Sequence, residues 1–323
     1  MNRIIGVLFI VFAAVMVSYA FSGRSTPPMP ASAVSMEMLQ MLDAVRTPGG
    51  QIVAVGERGH VFRSSDGGRE WHRMSTPGTP TLTAVTALPG AVVAVGHDAT
   101  VWLSEDEGAS WREVFAAPED EAPLLDVLLD ADGRGWAVGA YGLLLETRDG
   151  GRHWAATEIP ANEEGMHLNA IARLDAQRLL IAGEAGLLLR SDDDGASWQR
   201  LDSPYQGSFF GVQRMRDGAV LVFGMRGHVF RSEDGGEHWQ ALASEAQSSL
   251  FGAGLLDDGR VLLTGQGGQG VLVAQDGMTA TALPGPDRLV RAAVLQVAED
   301  EVLLFGEEGV VRMPLPSAGA GRS

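Results

Sequence analysis

No cysteine occurs in the 323 residues, which excludes disulfides, thiolate metal sites, thiol nucleophiles and a lipid anchor on cysteine. Long helical periodicity is also missing. The 42 glycines and 15 prolines interrupt the chain too often for an α protein, while 45% hydrophobic residues are enough for a large core. Basic residues are few: 24 against 41 acids, a formal charge of −17. Such a chain has no counterion-release drive toward phosphate, so a nucleic-acid partner is excluded. The acidity serves solubility and self-repulsion. Tyrosine is scarce as well, with only Tyr141 and Tyr205 beyond the first 21 residues.

What is present begins with Ile4 to Phe21, an uncharged apolar run of 18 residues behind Arg3. As a helix it would be roughly 27 Å long, enough for a bilayer core. It exceeds the roughly 7–15 residues of a signal-peptide core, although Ser18-Tyr19-Ala20 offers small residues for cleavage after Ala20. Residues 1–21 are therefore expected to be an N-terminal membrane anchor or a signal peptide. Either one exports the remainder to the periplasm or another extracytoplasmic face, tethered or soluble. Residues 22–30, SGRSTPPMP, read as a linker, and 317–323 as a disordered tail.

Between these ends the chain repeats itself. Residues 55–71 are VGERGHVFRSSDGGREW and residues 223–239 are FGMRGHVFRSEDGGEHW. The Gly closing each unit's second strand falls at Gly56, Gly96, Gly139, Gly183, Gly224, Gly265 and Gly306, at intervals of 40, 43, 44, 41, 41 and 41. Seven units of this period over residues 31–316 predict an all-β fold, a seven-bladed β-propeller of four-stranded antiparallel blades. In the second unit the strands read TLTAVTAL, AVVAVG, TVWLSE and SWREVF. One such sheet cannot bury both faces, and seven around an axis can. The seventh unit stops after three strands, so residues 31–36 are expected to supply its outer strand and latch the ring.

Each of the first five units carries Ser/Thr-x-Asp-x-Gly-x-x-Trp: Ser64, Asp66, Gly68 and Trp71; Ser104, Asp106, Gly108 and Trp111; Thr147, Asp149, Gly151 and Trp154; Ser191, Asp193, Gly195 and Trp198; Ser232, Asp234, Gly236 and Trp239. The sixth keeps only Asp276-Gly277, and the seventh has lost the motif. A short carboxylate in a hairpin turn accepts N–H bonds of its own loop, the Gly permits positive φ, and the Trp lies over the turn. These residues are expected to be structural.

The motif is the Asp-box, or bacterial neuraminidase repeat. Within [VIF]G-x-x-G-x-[VIL]-x-R-[ST]-x-D-G-G-x-x-W, best matched at 55–71, 138–154 and 223–239, the chain resembles the photosystem II stability/assembly factor family. The resemblance implies a propeller outside the cytoplasmic side of a membrane that assists assembly of a membrane protein complex. Relatives in non-photosynthetic bacteria, some beside exporters, leave photosynthesis itself unimplied. Leu103 and Glu146 depart from the pattern where Arg63, Arg190 and Arg231 stand in other units.

Asp-box propellers also include sialidases and glycan binders. A sialidase needs an arginine triad, a Tyr nucleophile with a Glu partner, and an acid Asp; two tyrosines and no FRIP-like segment argue against it. The histidines show no metal spacing: His60 and His228 open equivalent third strands, and His153 and His238 precede the box Trp. Ser191 to Gly195, SDDDG, lacks the alternating spacing and distal Glu of a calcium loop. No catalytic residue, metal or cofactor is expected, and the propeller is expected to be a monomer.

Partner contacts are expected on the face carrying the GxxG turns and the fourth-to-first connections: Arg58, Tyr141, Tyr205, Phe209, Phe210, Arg226, Phe251 and Arg291. Aligned inner strands place Thr83, Asp126, Asn169, Phe210, Phe251 and Arg291 along the axial channel. Phe210 and Phe251 either plug it or anchor a partner.

Overall fold

The computed structural model describes residues 34–316. The apolar run, the linker, residues 31–33 and the tail lie outside the described residues. Among the described residues twenty-seven strands form seven antiparallel sheets in chain order. Blade 1 is β1 (Met41–Arg46), β2 (Ile52–Gly56), β3 (Val61–Ser64) and β4 (His72–Arg73). Blade 2 is β5 (Leu82–Leu88), β6 (Ala91–Gly96), β7 (Val101–Ser104) and β8 (Arg112–Phe115). Blade 3 is β9 (Leu124–Leu129), β10 (Gly135–Gly139), β11 (Leu144–Thr147) and β12 (Ala155–Ala156). Blade 4 is β13 (Leu168–Arg173), β14 (Leu179–Gly183), β15 (Leu188–Ser191) and β16 (Gln199–Arg200). Blade 5 is β17 (Phe209–Arg214), β18 (Val220–Gly224), β19 (Val229–Ser232) and β20 (Gln240–Leu242). Blade 6 is β21 (Leu250–Leu255), β22 (Val261–Gly265), β23 (Gln269–Val273) and β24 (Ala280–Pro284). Blade 7 has three strands, β25 (Arg291–Ala298), β26 (Glu301–Gly306) and β27 (Gly309–Pro314).

The second strand of each blade is covered on both faces by its neighbours, so it reads as an unbroken apolar run, such as IVAVG in β2 or LLIAG in β14, every residue buried. Apolar clusters fill the seams, with Trp102 wholly buried between blades 1 and 2 and Trp136 between blades 3 and 4. Third-strand arginines reinforce several seams by reaching the box turn of the next blade. Arg63 donates to Glu107 O at 3.0 Å, Arg190 to Gly235 O at 3.2 Å, and Arg312 to Gly67 O. Where blade 3 carries Glu146 instead, Arg134 and Arg173 pair with Asp194 of the blade 4 box, and Arg173 also pairs with Asp130.

The expected latch is not seen among the described residues. Met36–Met38 form a single 3-10 turn rather than a strand, and the outer edge of β27 has no partner strand there. Closure comes instead from the seam between blades 7 and 1. Trp71 packs edge-on against Phe305 with ring centres 5.9 Å apart, Arg46 donates to Gln296 O at 3.0 Å, and Gly309 N donates to Leu39 O at 2.8 Å.

The box turns show their bonds plainly. In blade 5, Ser232 Oγ donates to Asp234 Oδ1 at 2.8 Å and accepts from Gly236 N at 2.8 Å. Asp234 Oδ1 also accepts from the N–H groups of Glu237 and His238 at 3.1 and 3.0 Å. Asp66 and Asp149 repeat this pattern, while Asp106 and Asp193 accept one N–H and the hydroxyl of Ser110 and Ser197 respectively. The glycines following these aspartates, such as Gly236 at φ 97, have positive φ. Blade 6 closes its turn without the box, through Ala274 N to Thr279 O and Gly277 N to Ala274 O.

Candidate partner-binding face and axial cavity

Five of the seven second strands end in a tight 3-10 turn whose middle residue is left-handed: Arg58 at φ 55, Tyr141 at φ 56, Ala185 at φ 49, Arg226 at φ 56 and Gly267 at φ 73. Such backbone is uncommon for bulky residues. It turns their side chains outward from one face of the propeller. Tyr141 is 67% exposed and meets His167 edge-on at 5.1 Å. Met225 beside Arg226 is 37% exposed. Tyr205 lies lower, packed on His228 at 4.3 Å and against Phe230 and Phe209.

The axis opens on this face into a cavity of about 690 Å³, lined by the start of every inner strand. A β-bulge sits there in all seven blades, pairing Met41, Leu82, Leu124, Leu168, Phe209, Leu250 and Arg291 with the closing Gly of the second strand. Residues at that position turn between the blades. Two expectations change accordingly. Phe209 is 0% exposed in the seam between blades 4 and 5, so it presents no surface to a partner. Arg291 is 3% exposed, its guanidinium held by Glu307 O at 2.9 Å and by Asp287, so it does not line the channel. The next residue faces the axis: Leu42, Thr83, Leu125, Asn169, Phe210, Phe251 and Ala292. One place further on come Asp43 and Asp126.

Side chains at these two levels stitch half of the ring. Asp43 accepts from Ala44 N and, across the seam, from Val85 N of blade 2, both at 2.8 Å. Thr83 donates to Leu124 O of blade 3 at 2.7 Å. Asp126 accepts from Val127 N at 2.8 Å and from Ile171 N of blade 4 at 2.9 Å. Asn169 donates to Phe209 O of blade 5 at 2.7 Å. Beyond blade 4 the polar series stops. Gly211, Gly252 and Ala293 follow the bulge there, and Phe210 and Phe251 pack together with ring centres 5.3 Å apart. Burial raises the Asp43 carboxyl to about 7 and the Asp126 carboxyl to about 6, against the backbone N–H bonds that favour ionisation.

Sequence alignment of the inner strands missed Asp43 because it skipped blade 1 and did not allow for the bulge. The signal was the shared Leu-Asp pair at 42–43 and 125–126. Among the described residues no group of three His, Asp or Glu is placed to hold a metal ion, and no helix is long and apolar enough to cross a membrane.

Comparison with known proteins bears on this geometry. A family model described as Photosynthesis system II assembly factor YCF48 matches residues 110–277, just over half of the chain. The chain belongs to this family. Among curated relatives, the Photosystem II assembly lipoprotein Ycf48 of Synechococcus sp. (strain CC9902) is 39% identical over 85 residues, which cover 26% of this chain and 25% of that one. The Photosystem II stability/assembly factor HCF136 of Arabidopsis thaliana is 33% identical over 93 residues, covering 27% of this chain and 23% of that one. These matches span about a quarter of each relative's length. Two solved structures share the fold at low identity. "YCF48 bound to D1 peptide" has a TM-score of 0.70 and 16% identity, covering 87% of this chain and 94% of that one. A streptogramin B lyase has a TM-score of 0.70 and 11% identity, covering 86% and 94%. An assembly factor and a lyase on one architecture leave function to the site rather than to the fold.

Proposed function

We propose that this protein is a non-catalytic, extracytoplasmic propeller whose turn face binds a subunit of a membrane protein complex and assists the assembly or stability of that complex. Membership of the YCF48 family across residues 110–277 carries the reading. Three further observations support it. A relative of the same fold is described as bound to D1 peptide. The turn face presents Arg58, Tyr141, Met225 and Arg226 on tight turns whose middle residue is left-handed. The apolar run at 4–21 provides an export signal or tether that brings the propeller to a membrane. In a host without photosystems the same role falls to another multispanning assembly, such as an exporter. Arg58, Tyr141, Arg226, Tyr205, Phe210 and Phe251 are the residues assigned to partner contact, the last two inside the axial cavity.

Affinity capture from detergent-solubilised membranes with the full chain tests the reading. Subunits of one multispanning complex should be recovered, and a combined Arg58→Ala, Tyr141→Ala and Arg226→Ala variant that melts normally should recover far less. Recovery untouched by those substitutions, or of no membrane protein at all, overturns it.

A further inference from the structure

The axial cavity contains two carboxylates that no cation among the described residues answers. Asp43 and Asp126 enter from blades 1 and 3, each with its oxygens already bonded to backbone N–H groups of two adjacent blades. The charged group acting on Asp43 is Asp126, of like sign, and no cation acts on either carboxylate. Each oxygen retains a lone pair beyond the backbone bond it accepts. The opposite wall is apolar, made by the Phe210 and Phe251 rings. A cavity of about 690 Å³ has ample room for one long side chain. Around its mouth, Asp98, Glu119, Glu163, Glu184, Glu245 and Glu308 stand exposed on the turns and connections, against Arg58, Arg226 and Arg288. The surroundings therefore favour an approaching cation.

We propose that the axial cavity receives a lysine or arginine side chain from a basic, apolar segment of the partner polypeptide. Its charged end lies against Asp43 and Asp126, and its alkyl stem lies along Phe210 and Phe251. Long cationic side chains have this dual character, an apolar stem and a charged tip. Aromatic faces and desolvated carboxylates are what reward it. Burial holds both carboxyls above the ordinary range, so a bound cation supplies the charge that lets them ionise. The inference rests on the reading that this face docks a polypeptide, and it adds which kind of side chain enters the axis.

The test uses the full chain and two labelled pentapeptides, acetyl-Gly-Leu-Lys-Leu-Gly-amide and the same peptide with Nε-acetyllysine. The lysine peptide should bind at least about tenfold more tightly, the ratio that about 1.4 kcal/mol gives. Equal affinity, or preference for the neutral peptide, overturns the proposal. A combined Asp43→Asn and Asp126→Asn variant should lose the preference, whereas Glu184→Gln with Glu245→Gln on the rim should keep it. The reverse pattern assigns the preference to the rim and overturns the proposal. Because the cavity variant also loses two clasps between blades, fluorine NMR of the fluorophenylalanine-labelled wild type gives a readout independent of folding. The Phe210 and Phe251 signals, assigned by Leu substitution, should shift with the lysine peptide, and shifts confined to other phenylalanines contradict it. If membrane capture succeeds while the peptides are not distinguished, this inference fails and the scaffold reading stands.

Discussion

Asp234 spends its carboxylate on its own turn, through Ser232 Oγ and the N–H groups of Glu237 and His238. Its removal should therefore cost stability and nothing else. Asp234→Ala is expected to lose about 0.5–1.5 kcal/mol in urea unfolding, the typical net worth of such solvent-exposed bonds, with partner capture unchanged. Loss of capture at full stability would contradict this. The aspartates of the molecule divide by the sign of their shifts. The box carboxyls are held low: Asp234 chiefly by the His238 N–H, and Asp149 at about 2, where the His153 and Thr147 bonds outweigh its desolvation. Their contribution is present above the unfolded value near 3.8 and is lost as pH falls through the folded value. Asp43 and Asp126 are raised to about 7 and about 6, so theirs is present at low pH and lost as pH rises through those values. Between about pH 4 and 8 the wild type should lose stability relative to an Asp43→Asn variant, and unfolding midpoints across that range check it. A constant difference between the two would refute the assignment. The box residues were legible because their spacing is local and recurs five times. Asp43 was hidden because one extra residue in each inner strand, invisible in composition, decides which side chain meets the axis.

At the scale of the element, the turn after each second strand separates two roles that the GxxG pattern merges. Its last position requires glycine in blade 5: Gly227 has φ 74, and a Cβ there would lie 2.4 Å from Ala246 O. Its middle position does not, and Arg226 holds a left-handed conformation with its side chain in solvent. Replacing Arg226 with Gly removes a strain of about 1–2 kcal/mol and adds chain entropy of similar size. Arg226→Gly should therefore melt within a few degrees of wild type while capturing less partner. A large fall in melting temperature with capture intact would reverse the assignment. Strand identity was easily read, since second strands buried on both faces are continuous apolar runs. The register of Phe209 against Phe210 was not, because adjacent aromatics on a bulged strand differ in direction rather than in chemistry.

For the whole molecule, the forty-residue period was sufficient to count seven blades, since the repeat is the blade. It did not show how the ring closes. The three-stranded blade 7 meets blade 1 through Trp71 on Phe305 and through Arg46 and Arg312, contacts between ends of the chain that no local pattern encodes. Nor did it show that the axial wall is polar at blades 1 to 4, which its side chains stitch together, and aromatic at blades 5 and 6. That asymmetry gives one face a directed cavity, and the central claim is that partners meet this face and not the box face. Site-specific photo-crosslinking in membranes tests it most directly, with the crosslinker placed at Met225 on the turn face or at Glu237 on the box face of the same blade. The account predicts adducts with one membrane-complex subunit from Met225 and none from Glu237. Adducts from Glu237 alone, or equally from both, would contradict it.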